Sequence, residues 1–228
     1  RWRVVRASHD SIPGAGREIR NVFIMRGGRA VFLIDSIRTQ EAALQATPLS
    51  TGLNDLLEHY GVKLGNNLVL DRSSEMTQFR TRMGITIQQY LYFVKVLKQY
   101  LYSSAKSSEG LSSEHIITSE LESMVLPWAS SLELISKEGE SIEATALAKT
   151  SEFAWTAQSP YNLDPSNRLN PAASTLKAYT VAASLSGVFK SFYAGKEIPP
   201  VETNASDTDE TPTPGTEDRE TRLSHFPE

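Results

Sequence analysis

Gly52-Leu-Asn-Asp-Leu-Leu-Glu-His-Tyr-Gly-Val-Lys-Leu-Gly-Asn-Asn-Leu-Val-Leu-Asp71 is the stretch on which the reading of the fold turns. Leu53, Leu56, Leu57 and Tyr60 fall at i, i+3, i+4 and i+7, with Thr51 just before them and Gly61 just after. This spacing predicts one apolar face of a helix, closed by a glycine stop. Asn66-Asn67 marks a turn. Leu68-Val-Leu-Asp71 then reads as a short strand buried on both faces. A helix followed by a buried strand predicts α/β architecture.

The upstream sequence repeats the pattern. Trp2–Ala7 alternates weakly and predicts a strand, and Ser11-Ile-Pro-Gly-Ala-Gly16 breaks the chain. Ile19, Val22, Phe23 and Arg26 have helical spacing, and Gly27-Gly28 supplies the stop. Ala30-Val-Phe-Leu-Ile-Asp35 is a continuous apolar run and predicts a fully buried central strand. Helix, glycine stop and strand make half of a β-α-β unit.

Downstream, strands dominate. Ile85–Tyr102 suits a helix through Tyr90, Val94, Leu97 and Leu101, or a strand through its aromatic run, and is read as strand. Ser103–Ser113 reads as a polar loop. Ser123–Leu126 and Ser131–Ile135 flank Pro127-Trp128 as candidate strands, followed by Ile142–Ala148 and Glu152–Trp155. Tyr179 to Lys190 alternates with period two and predicts a long strand kinked at Gly187. From Pro199 to Arg222, Pro, Thr, Asp and Glu replace large apolar residues, so burial cannot repay the entropy of ordering. The expected division is therefore one α/β domain over residues 1–198, read as truncated at its ends, and an acidic, Pro/Thr-rich disordered loop or tail over 199–228.

Composition narrows the function classes. The 228 residues carry a net charge of −4 and no polybasic run, which argues against nucleic acid and against direct docking on anionic lipid. The chain has no cysteine, so disulfides, thiolate metal sites and cysteine nucleophiles are excluded. No stretch approaches the ~18–20 apolar residues that cross a bilayer. The chain opens on Arg1-Trp2-Arg3 and reads as an excised piece of a longer protein, whose flanks would hold any membrane helices.

Candidate sites are few. Gly14-Ala15-Gly16 lacks the third glycine of a dinucleotide fingerprint and reads as a turn. Asp35-Ser36 and Asp71-Arg72 each follow a predicted buried strand, where ligands gather in open α/β sheets. Trp128, after Pro127, suits an aromatic anchor for a partner or a packed strand corner. Asp35, Ser36, Asp71, Arg72 and Trp128 are thus the candidate interaction residues. His9, His59, His115 and His225 have no metal-pair spacing, and no nucleophile elbow is present. Asn204-Ala-Ser206 matches a glycosylation sequon and reads as chance. No catalytic, cofactor or metal residue is assigned.

Several phrases together carry a resemblance. They are Arg26-Gly-Gly-Arg-Ala-Val-Phe-Leu-Ile-Asp35, the Gly52–Asp71 stretch, and Leu121-Glu-Ser-Met-Val-Leu-Pro-Trp-Ala-Ser-Ser-Leu-Glu-Leu134. Ser159-Pro-Tyr-Asn-Leu-Asp-Pro165 and Ala182–Phe192 follow in the same order. Residues 17–198 resemble the auxiliary, gliding-motility-type extracytoplasmic domain of bacterial ABC-type transport systems. The resemblance implies a flavodoxin-like or Rossmann-like open sheet with a strand-rich second half. It also implies a non-catalytic binding module on the periplasmic, extracytoplasmic side of the cytoplasmic membrane, partnered by an ABC permease and ATPase. It supplies no catalytic residue. The chain departs from the family's pattern in two places. Ser8–Arg17 is too short for the strand that normally precedes the glycine-pair helix, and the sequence stops before a later strand. The alternative functions are a cell-envelope hydrolase, which needs paired carboxylates or an activated nucleophile, and a flavodoxin-like small-molecule or nucleotide sensor.

Overall fold

A computed structural model describes residues 2–7, 14–40, 43–81, 84–103, 106–135, 142–166 and 171–195. The backbone groups into a compact unit, Arg1–Ala194, and a second, Gly195–Glu228, of which only Gly195 is described. The acidic segment and its sequon therefore lie outside the described residues, as do His9 and His225.

The first third forms around helix α1 (Gly14–Met25), set between strands β1 (Trp2–Ala7) and β2 (Arg29–Ile34). The two strands pair in parallel, Val4 opposite Val31 and Val5 opposite Phe32, so the β-α-β unit is complete. Gly27 sits at φ +75, its amide donates to the Ile24 carbonyl, and the Gly28 amide reaches back to the Phe23 carbonyl. This left-handed helix stop is open only to glycine without strain. A Cβ on Gly28 would also run into the Phe23 ring at 2.5 Å.

After β3 (Ile37–Gln40) and β4 (Gln45–Pro48), an antiparallel hairpin, comes α2 (Asn54–His59). It buries Leu53, Leu56, Leu57 and Tyr60 against Val5, Phe32 and Ile34, as the heptad-like spacing requires. The chain continues through β5 (Val62–Leu64) to β6 (Leu68–Asp71), all four of whose residues are buried. β7 (Ser74–Thr81) and β8 (Gly84–Leu97) form a long hairpin. β8 buries Tyr90, Tyr92, Val94 and Val96 at period two, whereas Leu101 is 79% exposed, which settles the ambiguous stretch as strand. β9 (Gln99–Ser103) pairs with β10 (Lys106–Glu109), so half of the expected polar loop is hairpin.

β11 (Ser123–Pro127) pairs with β8, and β12 (Leu132–Leu134) with β5. β13 (Ile142–Lys149) and β15 (Thr180–Gly187) complete a four-stranded sheet ordered β13-β15-β12-β5. β14 (Ala154–Ala157) pairs antiparallel with β6. It begins two residues later than the sequence suggests because residues 151–153 form a turn. β15 ends at Gly187, φ +133, rather than running on to Lys190.

The expectation of an α/β, flavodoxin-like or Rossmann-like open sheet is overturned. The described residues hold fifteen strands and two α-helices, distributed over six small sheets, and every pairing except β1–β2 is antiparallel. An open parallel sheet needs a crossover, usually a helix, between successive strands. Here only β1 and β2 are so connected. β6, which looks like a central parallel strand in sequence, is paired with β14. β2 is not the fully buried strand its apolar run predicts: Phe32 and Ile34 face α2, while Val31 and Leu33 are exposed. The physical reason is that, among the described residues, helices cover one face of β1–β2 and not the other.

Truncating Leu70 of β6 tests where the core sits. Leu70→Ala, at a side chain with no exposure, should cost about 2–5 kcal/mol. Leu33→Ser, on the open face of β2, should stay within about 0.5 kcal/mol. Urea unfolding midpoints with unchanged slopes would read both.

Candidate functional site

The two long sequence phrases meet in space. Residues 61–69 run antiparallel beside residues 129–135, joined by Ile135 N–H to the Gly61 carbonyl, Gly65 N–H to the Ser131 carbonyl and Val69 N–H to the Ala129 carbonyl. Side chains reinforce this seam. Asn67 Nδ2 donates to Ser131 Oγ at 3.0 Å, and Ser131 N–H donates to Asn67 Oδ1 at 3.1 Å. Gly65 is required here, because a Cβ would stand 2.5 Å from Ser131 Oγ.

Ser36 belongs to the same seam. It is buried, donates to the Gly65 carbonyl at 2.7 Å, and lies 2.6 Å from Ser130 Oγ. Asp35, one residue earlier, is exposed. Trp128 is half-buried and packs edge-on against Phe93, with ring centroids 4.9 Å apart. Its backbone is left-handed, φ +49, and its indole N–H is buried without a hydrogen-bond partner. A non-glycine residue in that region costs of order 1–3 kcal/mol. The Trp128 amide offsets part of the cost by donating to the Tyr92 carbonyl.

Asp71 is sealed at the end of β6. Its Oδ2 accepts the Ser151 amide at 2.7 Å, and its Oδ1 accepts the Ser73 amide at 2.9 Å and the Ser151 hydroxyl. Burial pushes the carboxyl above its usual range, while these donors pull it back. Arg72 turns outward, with its guanidinium over the Phe153 ring at 5.9 Å. The structure thus brings Ser36 to the β5–β12 seam, packs Trp128 against β8, buries Asp71, and leaves Asp35 and Arg72 at the surface.

Other polar groups serve as tethers that the sequence did not reveal. Asn21, buried on α1, accepts from Tyr60 Oη at 2.8 Å and from the Phe192 amide at 3.0 Å, and donates to Ser191 Oγ. Burial lifts the Tyr60 hydroxyl to about 12. Tyr90 and Tyr92 donate to the Leu163 and Asn162 carbonyls, docking the Tyr161–Asp164 segment onto β8. Tyrosines at alternate positions of an aromatic strand were the available signal for this. His59 Nε2 lies 3.1 Å from the Lys190 carbonyl, and His115 Nδ1 accepts the Ile117 amide. A shallow depression is lined by Lys98, Glu109, Ser113 and Glu122 among others; Glu109 there holds the Ser113 amide and hydroxyl, which keeps its carboxyl low. Among the described residues no group of acidic and histidine side chains could hold a metal, and no helix is long and apolar enough to cross a membrane. Gly14-Ala15-Gly16 is the first turn of α1 rather than a separate loop.

Asp71→Asn should lower stability by about 1–3 kcal/mol, since an amide nitrogen would face backbone donors. The raised carboxyl pKa sets the pH dependence. The native state binds the proton more tightly than the unfolded chain, so the contribution of Asp71 is full below the ordinary carboxylate pKa. It is lost as pH rises through the elevated value. Denaturation across mildly acidic pH should show the deficit of the variant shrinking as pH rises; a pH-independent difference would contradict the burial effect.

The family model described as "ABC-type uncharacterized transport system" matches residues 21–223. A protein of Borreliella burgdorferi, described as uncharacterized, is 30% identical over 114 residues, which make up 50% of this chain and 20% of that relative. The match thus spans a fifth of that relative's length. No solved structure matches the chain.

Proposed function

The chain belongs to the ABC-type uncharacterized transport system family, as an auxiliary protein, and on that premise we propose that it is a non-catalytic binding module of such a system. In this reading it sits on the extracytoplasmic side of a bacterial cytoplasmic membrane, tethered through other parts of its parent protein. A permease and an ATPase are its partners, and the ATPase does the work while this domain positions a substrate or partner. A gliding-motility-like system is the particular kind proposed.

The observation that carries the reading is the placement of polar chemistry. Ser36, Asp71, Asn21 and Ser151 are buried and bonded to backbone and to one another, stitching distant segments together. Asp35, Arg72 and several large apolar side chains lie at the surface. Membership of an auxiliary transport family supports a non-catalytic role. The half-buried Trp128 and the exposed Asp35 and Arg72 are proposed as contact residues.

Affinity purification of the full-length parent from detergent-solubilised membranes, followed by mass spectrometry, tests this. A permease and an ATPase should co-purify in comparable amounts. Recovery of the parent alone, or from the soluble fraction, would reject the reading.

A further inference from the structure

We propose that the tip of the β7–β8 hairpin, taken as its described residues 76–81 and 84–89, docks on a lipid surface bearing anionic headgroups. The hairpin leaves the core abruptly. β8 is bonded to β11 only from Phe93 to Leu97, and β7 is the outer strand of its sheet. From Met76 to Gln89, therefore, no third strand flanks the ribbon among the described residues. Phe79, edge-on to Tyr90 at 5.1 Å, anchors its base. Beyond that point Gly84, Ile85, Thr86 and Ile87 are all exposed, so both faces of the tip stand in solvent.

The side chains there are of an unusual kind for solvent. Ile85 is 66% exposed, Ile87 58% and Met76 56%. Large apolar side chains clustered on a projection mark a contact surface. Arg80 lies opposite Ile85 and Gln78 opposite Ile87, which places cation and apolar groups on one face of the ribbon. Residues 76–90, Met-Thr-Gln-Phe-Arg-Thr-Arg-Met-Gly-Ile-Thr-Ile-Gln-Gln-Tyr, contain two arginines and no acidic residue, in a chain of net charge −4.

That combination matches a bilayer interface. Isoleucine side chains reach the acyl boundary while the Arg80 guanidinium stays among the headgroups. The sequence has no polybasic run, so charge alone binds weakly: one arginine changes partitioning about fivefold. The apolar side chains must supply the rest. The inference goes beyond the proposed function and rests on it only in requiring a membrane beside the domain.

Sedimentation of the purified chain with vesicles tests it, using phosphatidylcholine alone and phosphatidylcholine mixed with phosphatidylglycerol. Binding should favour the anionic vesicles and weaken with salt. Ile85→Ser/Ile87→Ser should abolish it. Arg80→Gln should reduce it about fivefold, on anionic vesicles only. Circular dichroism checks that the variants remain folded; should the double variant not fold, Arg80→Gln and the salt series still decide. No sedimentation with either vesicle, or binding indifferent to both variants, would overturn the proposal. So would self-association that the isoleucine substitutions remove, which would assign the tip to a second copy of the chain. Co-purification of permease and ATPase with an Ile85→Ser/Ile87→Ser parent would leave the transport reading standing even if vesicle binding failed.

Discussion

Burial of β6 on both faces is the constraint on which the rest of the structure depends. Leu68 and Leu70 project into a cluster with Ile37, Tyr90, Tyr92, Trp155 and Leu163, and Val69 into another with Val94, Val96, Leu111 and Ala148. A strand so enclosed has no water for its backbone, so both edges must find partners. β14 supplies one edge, and the Ala129 carbonyl meets the Val69 amide on the other. Asp71 carries the same demand in its side chain. Its carboxylate is met by the turn at Ser73 and by Ser151, which fixes where β14 can begin.

The other buried polar groups obey the same logic at longer range. Ser36 reaches Ser130 across 94 positions, and Asn21 reaches Phe192 across 171. Six sheets of two to four strands cannot each bury a sufficient face alone. Hydrogen bonds of high sequence separation hold these small sheets in register with one another. The energetic weight of each lies chiefly in what would be lost: an unpaired donor or acceptor in an apolar setting costs more than a formed bond gains.

Local structure was largely legible. The i, i+3, i+4, i+7 apolar spacing gave α2, the glycine pair gave the end of α1, and the run Leu68–Asp71 gave a doubly buried strand. Pairing was not legible. A short apolar run looks the same whether its neighbours are parallel or antiparallel. β6 was therefore placed in an open parallel sheet that only β1 and β2 begin to form. In open parallel sheets ligands gather at the ends of buried strands; here, with antiparallel partners, Asp71 faces the Ser151 turn. The Asn21 tether could not be foreseen, since its partners lie on α2 and after β15.

The distribution of chemistry between interior and surface follows from this architecture. An open parallel sheet gathers its strand ends on one side, where loops can build a polar cleft. Several small antiparallel sheets disperse their strand ends, and the polar residues at those ends are spent on holding the sheets together. Tyr92 and Tyr100 illustrate the outcome: burial pushes their hydroxyls upward, and each donates to backbone carbonyls. What such a fold leaves outside is strand edges, the open face of β1–β2 with Val4, Val31 and Leu33, and the arms of a long hairpin. Parallel strands are ordinarily covered on both faces, and among the described residues the second face of β1–β2 has no such cover. That surface is what the binding role proposed for an auxiliary component of a transport system would use.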